Sequence, residues 1–151
     1  MPVTAYNTLE INKPLKDFPE MFNQETPLNA FISIKYVLVN GHESRLRQLS
    51  GYYLKDRLSD TVPDSKVDEK RRNKLLDTEI ERVLIYHDSI AAVINKIGEN
   101  FYGLWNFYRE NGKWVSAGED MGGETVLESE ITFREKAKMH IEKVLMIPPN
   151  R

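Results

Sequence analysis

Apolar residues recur at helical spacing in the first third of the chain and at strand spacing in the middle. Leu28, Phe31, Ile32, Lys35, Tyr36 and Val39 fall three and four apart, and Ile34, Val37 and Leu38 widen this stripe until it is apolar nearly all round. Thr26-Pro27 supplies an N-cap and a proline at the first helical position, and Asn40-Gly41 supplies a stop. The spacing therefore predicts a helix opening at Thr26 and buried on more than one side. A short second helix is expected over Glu43–Leu49, with Leu46 and Leu49 inward and Gly51 ending it. Tyr52-Tyr53-Leu54 then reads as a return into the core. Upstream, Pro14 and Pro19 discourage a long helix, so residues 1–25 read as an arm carrying a small cluster of Phe18, Met21 and Phe22.

Residues 59–77 are the most polar stretch. Lys66, Lys70, Arg71, Arg72 and Lys74 alternate with Asp64, Asp68 and Glu69, which predicts a short solvated helix ending at Leu75-Leu76. Beyond it the period changes to two. Glu79–His87 alternates, with Val83, Ile85 and His87 on one side and Ile80, Arg82, Leu84 and Tyr86 on the other. Asp88-Ser89 has turn chemistry, and Ile90–Ile97, Phe101–Tyr108 and Trp114–Glu119 continue as strands. Asn111-Gly112 between the last two is a strong hairpin signal. Met121-Gly122-Gly123 is expected to free the backbone before a helical tail over 124–146, stopped by Pro148-Pro149. The expected class is α+β: N-terminal helices packed in the concave face of a curved antiparallel sheet, plus a C-terminal helix, all in one domain spanning 1–151.

Three pieces of this pattern carry a resemblance: Pro27–Leu49 with its Val39-Asn-Gly-His-Glu43 helix break, Tyr86-His-Asp-Ser-Ile-Ala-Ala-Val93, and Tyr108-Arg-Glu-Asn-Gly-Lys-Trp-Val-Ser-Ala-Gly118. Over residues 26–120 the chain resembles the NTF2-like superfamily, including its SnoaL-like and ketosteroid-isomerase-like members. The resemblance implies a cone in which the sheet wraps a long helix and leaves a cavity at its mouth. It implies no particular chemistry, because these are patterns of shape shared by many activities. The helical tail beyond Gly123 departs from the many members that end near the last strand. A cystatin-like helix-on-sheet arrangement is the next alternative.

Composition narrows the function classes. The 21 basic and 23 acidic residues leave a net charge of −2, without the basic excess of a nucleic-acid or membrane-surface binder. The charges are uneven: residues 77–130 hold 11 acidic and 4 basic side chains, which disfavours anionic polymers along the sheet. There is no cysteine, so thiol catalysis and cysteine-held metals are excluded. No apolar run approaches the roughly 20 residues that cross a bilayer, and the first residues lack a secretory pattern. The cytoplasm is the default location, although a trimmed signal segment would leave the same sequence.

Candidate chemistry is sparse. His42, His87 and His140 have no metal-binding spacing, and no metal or cofactor is expected. His87 would border the cavity if its strand face is the concave one, and there it could move a proton near neutral pH. Glu119 and Asp120 are paired acids at the rim, with Asp120 the candidate acid. The aromatic density is the strongest feature: Tyr36, Tyr53, Trp105 and Trp114, with His87, are the candidate ligand contacts. Phe101–Tyr108 is aromatic on both faces, so both must be covered, one by the helix and one by the tail or a partner subunit. The expectation is a small apolar or aromatic ligand in the cavity and a homodimer through the sheet. The alternatives are an isomerase, cyclase or dehydratase with a cavity acid–base residue, and a non-catalytic interaction module.

Overall fold

The computed structural model describes residues 6–51 and 64–143, with the side chains of Tyr6 and of 140–143 left undescribed. Five strands form one antiparallel sheet in chain order: β1 (Tyr6–Pro14), β2 (Glu79–Tyr86), β3 (Ile90–Gly98), β4 (Phe101–Glu110) and β5 (Lys113–Gly123). Among the described residues four α-helices accompany it: α1 (Pro27–Val39), α2 (Leu46–Leu49), α3 (Glu69–Leu76) and α4 (Val126–Lys143). Each ladder carries a register shift, and the sheet is curved. Among the described residues, no helix is long and apolar enough to cross a membrane.

Helix α1 begins and ends as its sequence dictates. Thr26 Oγ1 accepts from the Asn29 amide at 3.0 Å, and Pro27 occupies the first turn. At the other end Gly41 adopts φ +69°, while the His42 amide donates to Val37 O and the Gly41 amide to Leu38 O. These two bonds form a Schellman cap, in which the left-handed residue is glycine for steric reasons. Between the caps nearly every side chain is buried, because α1 lies against one face of the sheet. Phe31, Ile34, Val83, Val93, Phe107 and Trp114 share that core.

The other face is covered by α4. Leu84, Ala92, Ile94 and Leu104 meet Phe133 and Ala137 from the helix, forming a second core. Polar ties reinforce it: the buried Glu130 accepts from Arg82 at 2.8 Å and from Thr8 at 3.3 Å, joining α4 to β2 and β1. The two apolar faces of β4 are thus both satisfied within one chain.

Several sequence expectations need correction. Part of the N-terminal arm is strand β1, whose exposed polar residues hide it; its stability comes from the ladder to β2 rather than from a buried face. The turn between β2 and β3 is centred on His87 and Asp88, at φ +53° and +51°, one residue earlier than the Asp88-Ser89 break. Two left-handed residues make it a type I′ turn, whose twist matches the strands it joins. The second helix is a 3-10 turn (Glu43–Arg45) followed by α2. The backbone does not loosen at Met121: β5 runs to Gly123, and a Cβ at Gly122 would collide with Ser129 of α4. The polar helix starts at Glu69, capped by Asp68, whose Oδ1 accepts from the Arg71 amide at 2.8 Å. Tyr53 and its neighbours lie outside the described residues.

Candidate functional site

Lys35 interrupts the apolar stripe of α1 one turn after Phe31. It is only 7 % exposed, and its Nζ lies 5.4 Å from the centroid of the Phe31 ring and 4.9 Å from that of Trp105. Among the described residues it makes no ion pair. Removal from water holds its pKa below the ordinary lysine value, and the charge of Glu119 offsets this only in part. An ammonium stacked over two rings regains some of that cost through the ring quadrupoles.

Trp105 is held in place for this contact. Its Nε1–H donates to Ser116 Oγ at 2.8 Å, and the same oxygen accepts from the Gly118 amide at 3.1 Å. Phe31 meets the indole edge-on, with centroids 6.1 Å apart. Ser116 also marks a bulge. Phe107 pairs with Ser116 and Asn106 with Gly118, so Ala117 is an extra residue on β5. That extra residue reverses the alternation: Glu119 pairs with Trp105 and shares its face, while Asp120 pairs with Leu104 on the α4 side.

Asn95 completes the group. It is 2 % exposed, and its Oδ1 is the one fully buried side-chain oxygen or nitrogen without a hydrogen-bond partner among the described residues. Opposite it on β4 stands Gly103. A Cβ there would lie 2.6 Å from Glu119 Oε2, 2.7 Å from Ile97 Cδ1 and 3.2 Å from Asn95 Oδ1. Two acceptor oxygens therefore stand close over the bare Cα of Gly103, where a side chain would collide with them. Lys35, Asn95 and Glu119 line one cleft of about 970 Å³, whose walls include Leu75 of α3 and Ile97 of β3. Lys70, Arg71 and Lys74 of α3 stand at this cleft together with Asp77, Glu79 and Glu99, so its charge is mixed. The arrangement can hold a small molecule with an apolar body and a polar group directed at the lysine.

The other expected site residues are placed elsewhere. His87 is exposed in its turn, with its ring edge-on to Tyr86 at 4.6 Å, and it does not border this cleft. Asp120 accepts from Asn106 Nδ2 at 2.8 Å and pairs with Lys136 of α4 at 2.7 Å, so it fastens the tail helix. It lines a smaller hollow of about 220 Å³ beneath α4, which His87 does not reach. Tyr36 is buried, and its hydroxyl donates to Phe18 O at 2.7 Å; burial pushes its pKa up. Trp114 is buried too, its backbone exchanging hydrogen bonds with Gln24 at 3.0 Å in both directions. Tyr36 and Trp114 thus anchor the segment leading into α1. Of the expected contacts among the described residues, Trp105 alone meets the new group.

The residues missed from sequence had a signal. Lys35 stands inside an apolar helical stripe, and Asn95 stands two places beyond Val93 on the buried phase of β3. Glu119 was visible only as one of the paired rim acids with Asp120, and which of the two faces the cleft is set by the bulge at Ala117, invisible to a count of alternation. Among the described residues no three His, Asp or Glu side chains converge as metal ligands would. No protein-family model, no curated protein and no solved structure matches this chain.

Proposed function

We propose that this chain is a small-molecule-binding domain of the NTF2-like cone type, taking its ligand in the cleft between α1, α3 and the sheet. The observation that carries the reading is the pairing of a buried amine, Lys35, with a buried acceptor, Asn95 Oδ1, both short of partners and both facing one cavity. A core built only for stability has no use for either, since each costs free energy until something bonds to it. The ligand's apolar or aromatic body lies against Leu75 and Ile97, and its polar group meets Lys35, whose Nζ lies over the Trp105 ring.

A thermal-shift and tryptophan-fluorescence screen of aromatic and aliphatic carbonyl compounds tests this. Binders should raise Tm and change the Trp105 emission, and Lys35→Met or Asn95→Leu should remove both responses while the protein stays folded. Compounds that bind equally well to both variants would overturn the reading. A second reading, a proton-transferring enzyme, now draws on Lys35 and Glu119 in place of His87 and Asp120. Association of two copies also stays within the proposal, at a different place: α4 already covers the sheet, and the exposed Leu127, Ile131 and Met139 of that helix are what a second copy would cover.

A further inference from the structure

The chemistry of the cleft favours a neutral ligand group over an anionic one. An anionic head brought to Lys35 would also approach Glu119, the carboxylate already acting on that amine, and like charges in a poorly solvated space repel. A carbonyl group brings no charge. The amine it would meet is buried and free of any ion pair among the described residues; burial favours the neutral, nucleophilic amine, and the two rings and Glu119 offset this only in part.

We propose that Lys35 condenses with the carbonyl carbon of an aldehyde or ketone bound in the cleft, with Glu119 carrying the protons and Asn95 Oδ1 receiving the hydroxyl of the addition product. This rests on the cleft being a ligand site. Glu119, which makes no direct contact with Lys35, first takes a proton from the ammonium through one bridging water, and the freed nitrogen pair attacks the carbonyl carbon while the C=O π pair moves to oxygen. The carboxyl returns its proton to that oxygen and removes another from nitrogen, leaving a neutral carbinolamine. Asn95 Oδ1 accepts from the new O–H, which gives the orphaned acceptor a donor. Glu119 then protonates the hydroxyl, the C–O bond breaks, water departs, and the nitrogen pair closes the C=N bond of the iminium. Ammonium plus carbonyl becomes iminium plus water, with Glu119 a carboxylate again at the end and no change of oxidation state. The glycine at 103 lets both oxygens lie close over the β4 backbone, where any side chain would displace them.

The test is reductive trapping of the intact, folded protein with benzaldehyde and cyanoborohydride near neutral pH, followed by peptide mapping. Lys35 should gain a benzyl group at least about tenfold faster than Lys70, Lys74 or Lys96, because a buried amine is neutral more often than a solvated one. Lys35→Arg should remove that label and leave the others, and Glu119→Gln, which keeps the amine, should slow it severalfold. Labelling of the surface lysines without Lys35, while benzaldehyde still changes Trp105 emission, would overturn the condensation and leave the binding reading standing. Labelling of the surface lysines with neither a Lys35 adduct nor a fluorescence response would overturn both.

Discussion

Lys35 destabilises the folded chain in order to be where it is, and that cost depends on pH. Its folded pKa lies below the unfolded value of 10.5, so between the two the unfolded chain binds more protons and stability rises with pH. The penalty is present in full below the folded pKa and is gone above 10.5. Lys35→Met should therefore stabilise the protein by about 1–2 kcal/mol at pH 7, the scale on which buried charged groups yield to apolar ones. The gain should shrink steadily towards pH 10.5 in urea titrations; a loss of stability at pH 7 would contradict it. The sequence makes Lys35 conspicuous only because nine of the other twelve residues of α1 are buried around it. It makes Asp120 look as good an acid as Glu119, and the choice between them falls to Ala117, whose insertion reverses the faces of everything after it.

At the scale of elements, the helix caps and two-residue turns were the most legible parts, since each rests on a local steric rule. Thr26-Pro27, Asn40-Gly41 and Asn111-Gly112 all do what their residue types require, the last at φ +54° and +78°. Gly41 is the strictest of these. Besides its positive φ, a Cβ there would strike the carbonyl oxygen of Ser65, a backbone atom with nowhere to retreat. Gly41→Ala should cost about 2 kcal/mol or more and lower Tm, through both the left-handed strain and the displaced 64–68 segment. That segment is also held by Glu43, which accepts from the Ser65 hydroxyl at 2.8 Å and from its amide at 3.0 Å. Strand β1 was not legible, because an edge strand that buries little of itself needs no alternation; Ile11 is its one residue described as packing against the core. The ladder partner that makes it a strand is more than sixty residues away.

For the whole molecule, two layers of helix enclose one sheet, and the aromatic residues on both sides of β4 foretold that both faces would be covered. Composition could not say whether the second cover was a partner or the chain's own tail. With α4 in that place, the self-association proposed above falls to its outer side. Sedimentation velocity should show a dimer that Ile131→Glu converts to monomer without loss of helicity, and a wild-type monomer at high concentration would remove the dimer from the proposal. The cleft was legible only as an expectation of cone shape; its floor depends on three side chains from α1, β3 and β5 that no local pattern brings together. The most direct test of that floor is the titration of Lys35 itself, followed by NMR of side-chain-labelled lysine with Lys35→Arg for assignment. Its Nζ should titrate clearly below the ordinary lysine value, and a Lys35 that titrates at that value would mean that the amine is solvated and the cleft holds no poised group.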